Sequence, residues 1–242
     1  MGFSHAGFYP VADGAAKRKE KEALSPRSGS YCRWTPFRSR AHRILNSLNA
    51  NPVFARRQIY HNGVWFCSLS EAALGVILER LIPGFQVIEG LTFQVPMGAG
   101  RSVDFQINGV LIEYHQVRLA PKRGSFGDFR NWRQYARYAR RAERLIHNKY
   151  RWQSFTKKMR EKLAFNYYTR RKRVIESNPF YRKSELIVAS SREEFYAKVI
   201  LRFVPRNPPT LAEFLGLFWW WVNIIAKENG LPPLKKSFLA RP

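Results

Sequence analysis

The sequence predicts a mixed α/β chain whose core runs helix, three strands, helix, strand (αβββαβ), with a basic helical insertion and a further helix near the C-terminal end. Three observations carry that expectation. Asn62-Gly63 and Asn108-Gly109 each sit between alternating apolar residues, the pattern of a two-residue hairpin turn whose central positions need φ > 0. "SLSEAALGVILERLIPGF" reads as one helix, with Ser70 as N-cap, helix formers from Ala72 to Leu81 and a stop at Pro83-Gly84. "ELIVAS", Glu185 to Ser190, reads as a short buried strand ahead of a helix over "SREEFYAKVILRF" capped by Ser190 or Ser191.

Taken in chain order, residues 1–30 are rich in Gly, Ala and Ser around a charged cluster and read as a flexible basic tail. Residues 31–58 form a basic extension with a short helix from about Ser39 to Leu48. The core is expected over 59–204. It opens with the hairpin "QIYHNGVWFCS", continues through the helix above and a strand around Thr92 to Val95, and reaches a second hairpin from Ser102 to Val117. A basic helical insertion occupies 127–183, and residues 205–242 hold the last helix and a tail. Thr210 and Glu213 make a T-x-x-E capping box for that helix, and Gly230 can end it. Its apolar run, Phe214 to Ala226, is shorter than the roughly 20 residues that cross a bilayer. It is expected to bury in the core; docking on a protein partner or a second copy is the alternative.

The second hairpin raises the functional question. A two-residue turn at Asn108-Gly109 sets Ile107 opposite Val110, Phe105 opposite Ile112 and Asp104 opposite Glu113. Val103, Phe105, Ile107, Val110, Ile112 and Tyr114 then share one face, while Ser102, Asp104, Gln106, Leu111, Glu113 and His115 share the other. Like charges directly opposite each other weaken a sheet, so something positive is expected between Asp104 and Glu113. A divalent cation is the simplest compensation, because Mg²⁺ takes one or two carboxylates plus water and phosphate oxygens. Pairing with nearby arginines is the plainer alternative.

Composition narrows the class of partner. The chain of 242 residues carries 42 Lys+Arg against 17 Asp+Glu, a net charge of +25 that points to a polyanion, most simply nucleic acid. An anionic membrane surface is the competing reading. From Arg130 to Lys183 there are 18 basic residues against Glu143, Glu161 and Glu176, a bias that an idle solvated face does not need. Arg130, Arg133, Arg137, Arg140, Arg141 and Arg144 recur at three- and four-residue steps, so a helix would align them along a phosphate backbone. Trp132, Tyr135, Ala136, Ala139, Ala142 and Ile146 fall on the other face. Lys157, Lys158, Arg170, Arg171, Lys172 and Arg173 extend the basic surface, and Lys122 and Arg123 follow the hairpin. The interleaved aromatics are expected mostly to pack the helices together. Cys32 and Cys67 lack metal-ligand spacing and read as thiols in a reducing compartment, and no signal peptide is visible. A cytoplasmic or nucleoid-associated location is expected, without secretion or a transmembrane segment.

Element order, Glu71 early in the first core helix, Asp104 on the second strand and Glu113-Tyr114-His115 on the third together resemble the PD-(D/E)xK nuclease superfamily. The phrasing "SLSE…VDFQINGVLIEYH" looks most like its very-short-patch-repair and transposon-end-cleaving branches, over about residues 60–202. The resemblance implies a restriction-endonuclease-like fold and a Mg²⁺- or Mn²⁺-dependent endonuclease acting on DNA. It implies Asp104, Glu113 and Glu71 as metal ligands and catalytic carboxylates. One departure stands out: His115 fills the family's lysine position. A neutral imidazole can accept a proton from water, but it supplies no permanent charge. Lys122 and Arg123, just beyond the third strand, are the candidates to lend that charge. The alternatives are a binding subunit without catalysis, on DNA or RNA, that keeps the fold, and for Glu71 alone a plain helix-dipole role. Gln94 and Gln116 are candidate neighbours of the site.

Overall fold

A computed structural model describes residues 36–49, 58–80, 90–98, 101–122, 124–204 and 206–232. The expectations for the N-terminal tail, Cys32 and Arg123 lie outside these residues. The chain is mixed α/β. A 3₁₀ turn (Pro36–Arg38) leads into α1 (Arg40–Ser47), whose N-cap Ser39 accepts from the His42 N–H. The hairpin β1 (Ile59–His61) and β2 (Val64–Phe66) turns at Asn62-Gly63, both with positive φ. Then come α2 (Leu69–Arg80), β3 (Leu91–Gly98), β4 (Arg101–Ile107) and β5 (Val110–Tyr114). The insertion forms α3 (Trp132–Leu145) and α4 (Lys149–Glu176). After β6 (Leu186–Ala189) the chain forms α5 (Arg192–Phe195), a π-helical stretch (Tyr196–Ile200), α6 (Leu201–Phe203) and finally α7 (Leu211–Glu228).

The main sheet has the order β3-β4-β5-β6, with two antiparallel pairings and a parallel β5–β6 edge. β1–β2 is a separate small antiparallel sheet. Helices cover both faces of the main sheet. On one face Phe105, Ile107, Ile112, Tyr114 and Ile187 pack with α2, with Phe195 and Val199, and with Phe214, Phe218 and Val222 of α7. On the other, Leu111, Val95, Met97 and Val103 pack against Ile175 of α4. The apolar C-terminal helix is thus an integral core element, and the T-x-x-E box at its start forms as the sequence suggests. Gly230, at φ 62, follows its C-cap Asn229. Among the described residues no helix is long and apolar enough to cross a membrane.

Three local expectations change. The N-cap of α2 is Ser68, whose Oγ accepts from the Glu71 N–H at 3.2 Å, while Ser70 lies inside the helix. Starting two residues earlier lets Ser68-x-x-Glu71 act as the cap, because Glu71 reaches back to the Cys67 N–H and the Ser68 hydroxyl. Trp132, expected on the apolar face of α3, is 45% exposed at the first turn, beyond the reach of the core. Val103 does not share its packing with Phe105: it joins the α4 side. Between the Phe93–Phe105 and Val95–Val103 pairs, Gln94 (φ 47) and Asp104 are not paired, so the ladder is interrupted at this point.

Candidate functional site

The Asn108-Gly109 turn sets the register the sequence predicts. Ile107–Val110, Gln106–Leu111 and Phe105–Ile112 are paired. The ladder ends there, one rung short of Asp104 and Glu113. The Tyr114 N–H donates instead to Asp104 Oδ2 at 2.7 Å, so the carboxylate itself fills a ladder position. Asp104 and Glu113 are nevertheless close neighbours electrostatically, and the third member is Glu71 at the start of α2.

All three acids are buried, with 6, 6 and 9% exposure for Asp104, Glu113 and Glu71, which removes the solvent that would screen them. Burial, opposed by its Ser68 and Cys67 hydrogen bonds and aided by the charge of Glu113, pushes Glu71 up from 4.5 to about 7. Burial and the charges of Glu113 and Glu71 raise Asp104 well above the carboxylate range, against the opposing Tyr114 N–H and Arg171. The Cys67 thiol, exposed and unoxidised, is also held up by partial burial and by the fields of the three carboxylates, which places it beside the cluster.

Glu113 is compensated by an arginine. Arg171 of α4 donates to Glu113 Oε2 from Nη2 at 2.8 Å and Nε at 3.1 Å, and its Nη2 also donates to the Ser102 carbonyl. The Tyr167 hydroxyl donates to Glu113 Oε1. The plainer alternative for the hairpin, an arginine partner, therefore holds for Glu113, and Arg171 faces the cluster rather than an external phosphate backbone. Among the described residues, the Arg171 guanidinium is the cation hydrogen-bonded to any of the three acids.

His115 packs flat on Tyr167, and its Nε2 lies 2.8 Å from Asp128 Oδ1. Asp128 is buried; burial, which would raise it, is outweighed by His115, the Arg118 N–H and Arg170, so its carboxyl sits below the usual range. Arg170 is exposed but reaches the same carboxylate, at 3.4 Å from Asp128 Oδ1 with Nη1 on the Gly127 carbonyl. Gln94 Oε1 accepts from the Ser102 hydroxyl, while its buried Nε2 has no partner among the described residues. Gln116 Nε2 donates to the Tyr114 hydroxyl on the far side.

The remaining basic candidates lie outward. Arg133, Arg137, Arg140, Arg141 and Arg144 are all exposed along one side of α3, opposite buried Tyr135, Ala136, Ala139 and Ala142, and Arg130 is exposed just before the helix. Lys157, Lys158, Lys172 and Arg173 are exposed on α4, with Lys172 at 3.7 Å from Glu176. Lys122 is half-buried in the loop after β5. Most interleaved aromatics pack between helices, as Tyr138 and Trp152 do around Phe155, whereas Tyr150 and Phe165 are 82 and 57% exposed.

In donor chemistry the set fits a hard divalent cation: three buried carboxylates, two of them destabilised as anions by the others. In the folded arrangement, among the described residues, no three His, Cys, Asp or Glu side chains converge enough to enclose an ion. Both Glu113 oxygens are held by α4.

Sequence reasoning missed Tyr167 and Asp128, and assigned Arg171 to a different task. The signal was present as a spacing. Tyr167, Arg171 and Ile175 recur every four residues on α4 and meet His115, Glu113 and Leu111, which recur every two on β5. No protein-family model, no curated protein and no solved structure matches this chain.

Proposed function

We propose that the chain is a metal-dependent endonuclease with a restriction-endonuclease-like core, acting on DNA and gripping it with the basic helices of its insertion. The observation that carries this reading is the burial of Glu71, Asp104 and Glu113 near enough to feel one another's charge, with the Arg171 guanidinium on Glu113. An inert sheet gains nothing from burying such a set. Asp104, Glu113 and Glu71 would hold Mg²⁺ or Mn²⁺, and a bound ion polarises a phosphoryl group and lowers the pKa of water. His115 would take or orient a proton through Nδ1, since Asp128 engages Nε2 and fixes the ring. The exposed arginines of α3 supply the sequence-independent attraction for a polyanion.

The test is incubation with Mg²⁺ and a panel of labelled single-stranded, duplex and branched DNA and RNA, beside Asp104→Ala and Glu113→Ala. Metal-dependent cutting that both variants lose while they still bind supports the reading. Equal cutting by the variants overturns it.

The Arg171–Glu113 pair favours a second reading, a binding subunit of a nucleoprotein complex in which the arginine has permanently replaced an ion. Tight, salt-sensitive binding without metal-dependent turnover on any substrate of the panel would mark that case.

A further inference from the structure

The outward side of α4 carries a feature that neither the carboxylates nor the arginine stripe of α3 explains. With 3.6 residues per turn, positions seven apart on a helix lie almost in line, about 10 Å from one another along the axis. Arg151, Lys158, Phe165 and Lys172 recur at that step, and all four are exposed. A phenylalanine with 57% of its surface in water thus stands in a row of cations. α4 as a whole carries ten Lys and Arg against Glu161 and Glu176, and Glu176 lies 3.7 Å from Lys172.

The Phe165 ring does not serve the core, because the buried Met159 and Leu163 are turned away from it. Its helix neighbours three and four residues away are Glu161, Lys162, Tyr168 and Thr169, and the Lys162 Nζ lies 5.5 Å from its centroid. Protein interfaces gather apolar side chains at their centre and are depleted of lysine, so a lone ring among lysines suits that partner poorly. A duplex keeps its bases stacked on one another and would turn its phosphates toward the ring. An unpaired base offers a flat π face, and its flanking phosphates would meet the cations of the row.

We propose that the outward row of α4 is a track for single-stranded nucleic acid: an unpaired base stacks on Phe165, while Arg151, Lys158 and Lys172 attract the phosphates on either side. This inference rests on the nucleic-acid part of the reading above and not on its metal. It names unpaired strand as the form of substrate that α4 takes.

Full-length protein, in EDTA so that binding is read without cutting, is titrated into labelled oligo(dT), oligo(U) and a duplex of equal length, and followed by fluorescence anisotropy. Phe165→Leu keeps a good helix former at an exposed position, and its thermal melt should match the wild type. It is expected to weaken binding to whichever single strand the wild type holds more tightly by at least five-fold, and to the duplex by less than two-fold. Phe165→Trp should restore the affinity. A smaller loss on the single strand overturns the stacking, and an equal loss on strand and duplex overturns the choice of unpaired bases. An oligonucleotide carrying 5-iodouracil should cross-link to Phe165 of the wild type on irradiation; cross-links that spare Phe165 overturn the track. A wild type that self-associates through this ring, and a Phe165→Leu that does not, would assign the row to a second copy and overturn it as well. Failure of the underlying reading looks different: there the wild type binds neither strand nor duplex at low salt, whereas tight binding that Phe165→Leu shares removes the track alone.

Discussion

The His115 imidazole lies on the Tyr167 phenol ring with centroids 3.5 Å apart and planes inclined by 2°. One helical turn on, Arg171 meets Glu113, and one turn further Ile175 packs on Leu111. Four residues of helix advance about 6 Å and two residues of strand about 6.6 Å, so α4 and β5 stay in step over three contacts while running in opposite directions. This commensurate seam places an apolar contact at one end and the candidate chemistry at the other. It also means the site cannot rearrange at Glu113 without disturbing its neighbours on both sides.

Removing the Tyr167 hydroxyl separates the two functions of that side chain. Tyr167→Phe keeps the stack on His115 but leaves Glu113 Oε1 without its donor. A loss of about 1–2 kcal/mol is expected. Tyr167→Ala removes the ring as well, and about 2–4 kcal/mol should go. Urea denaturation of the three proteins measures both. A Tyr167→Phe protein as stable as the wild type would mean that the hydroxyl is not holding a buried carboxylate.

The acids predict an unusual dependence of stability on pH. Between the ordinary 4.5 and about 7, the folded chain keeps a proton on Glu71 that the unfolded chain has lost. Stability therefore falls as pH rises through that window, and Asp104, also raised, acts in the same direction. Asp128 works oppositely: its lowered value lends stability that is present above about 3.8 and lost as pH falls below it. Denaturation midpoints followed from pH 3 to 9 should peak between the two windows. Glu71→Gln should flatten the decline toward neutral pH. A wild-type profile flat from pH 5 to 8 would contradict the charge balance described for the site.

Much of the fold could be read from the sequence because its signals are local. Asn62-Gly63 and Asn108-Gly109 set their hairpins, Thr210 and Glu213 cap α7, and Asn108 determines which residues face Glu113 across the turn. Asp104 and Glu113 were legible as a pair for the same reason, both being set by one turn, whereas Glu71 joined them only through the family resemblance. Arg171, Tyr167 and Asp128 were not, because they reach the site from an insertion whose composition advertises a basic surface. Eighteen basic residues in one stretch hide the one that turns inward. The interruption at Gln94 was equally hidden: no glycine marks it, and a positive φ at glutamine is held by tertiary context rather than by propensity.

The arginine stripe of α3 should govern the salt dependence of polyanion binding. Arg133, Arg137 and Arg144 are exposed on one side of the helix and face away from the buried alanines. If each neutralises one phosphate, replacing all three by Gln should lower the slope of log K against log salt by up to about 3 for duplex DNA. If the chain is the nuclease proposed above, cutting at low salt should survive, because none of the three touches the carboxylates. Fluorescence anisotropy over a salt series gives the slope. An unchanged slope would move the nucleic-acid surface away from α3.

Gly75 tests how tightly the layer beneath the site is packed. A Cβ at this position would stand 3.0 Å from Phe66 Cε1 and 3.2 Å from Phe93 Cε1. Neither ring has an easy way out. Phe66 meets Phe93 edge-on at 5.7 Å, Phe93 meets Phe105 at 6.2 Å, and Phe105 meets Phe195 at 6.0 Å. Alanine would gain about 1 kcal/mol of helix propensity over glycine, while overpacking a tight core loses about 1–3. The strain should win, making Gly75→Ala less stable than the wild type by about 1–2 kcal/mol. Phe66→Leu in the same chain should relieve part of it, giving a coupling of about 1 kcal/mol in a double-mutant cycle. Because Phe105 adjoins Asp104 and Tyr114 meets the same Phe195 ring, a shift along this row of aromatics would reach the hairpin that carries the carboxylates. Gly75→Ala that equals the wild type in stability would show the row to be compliant, and the precise placement of Asp104 would then have to come from its bond to the Tyr114 N–H alone.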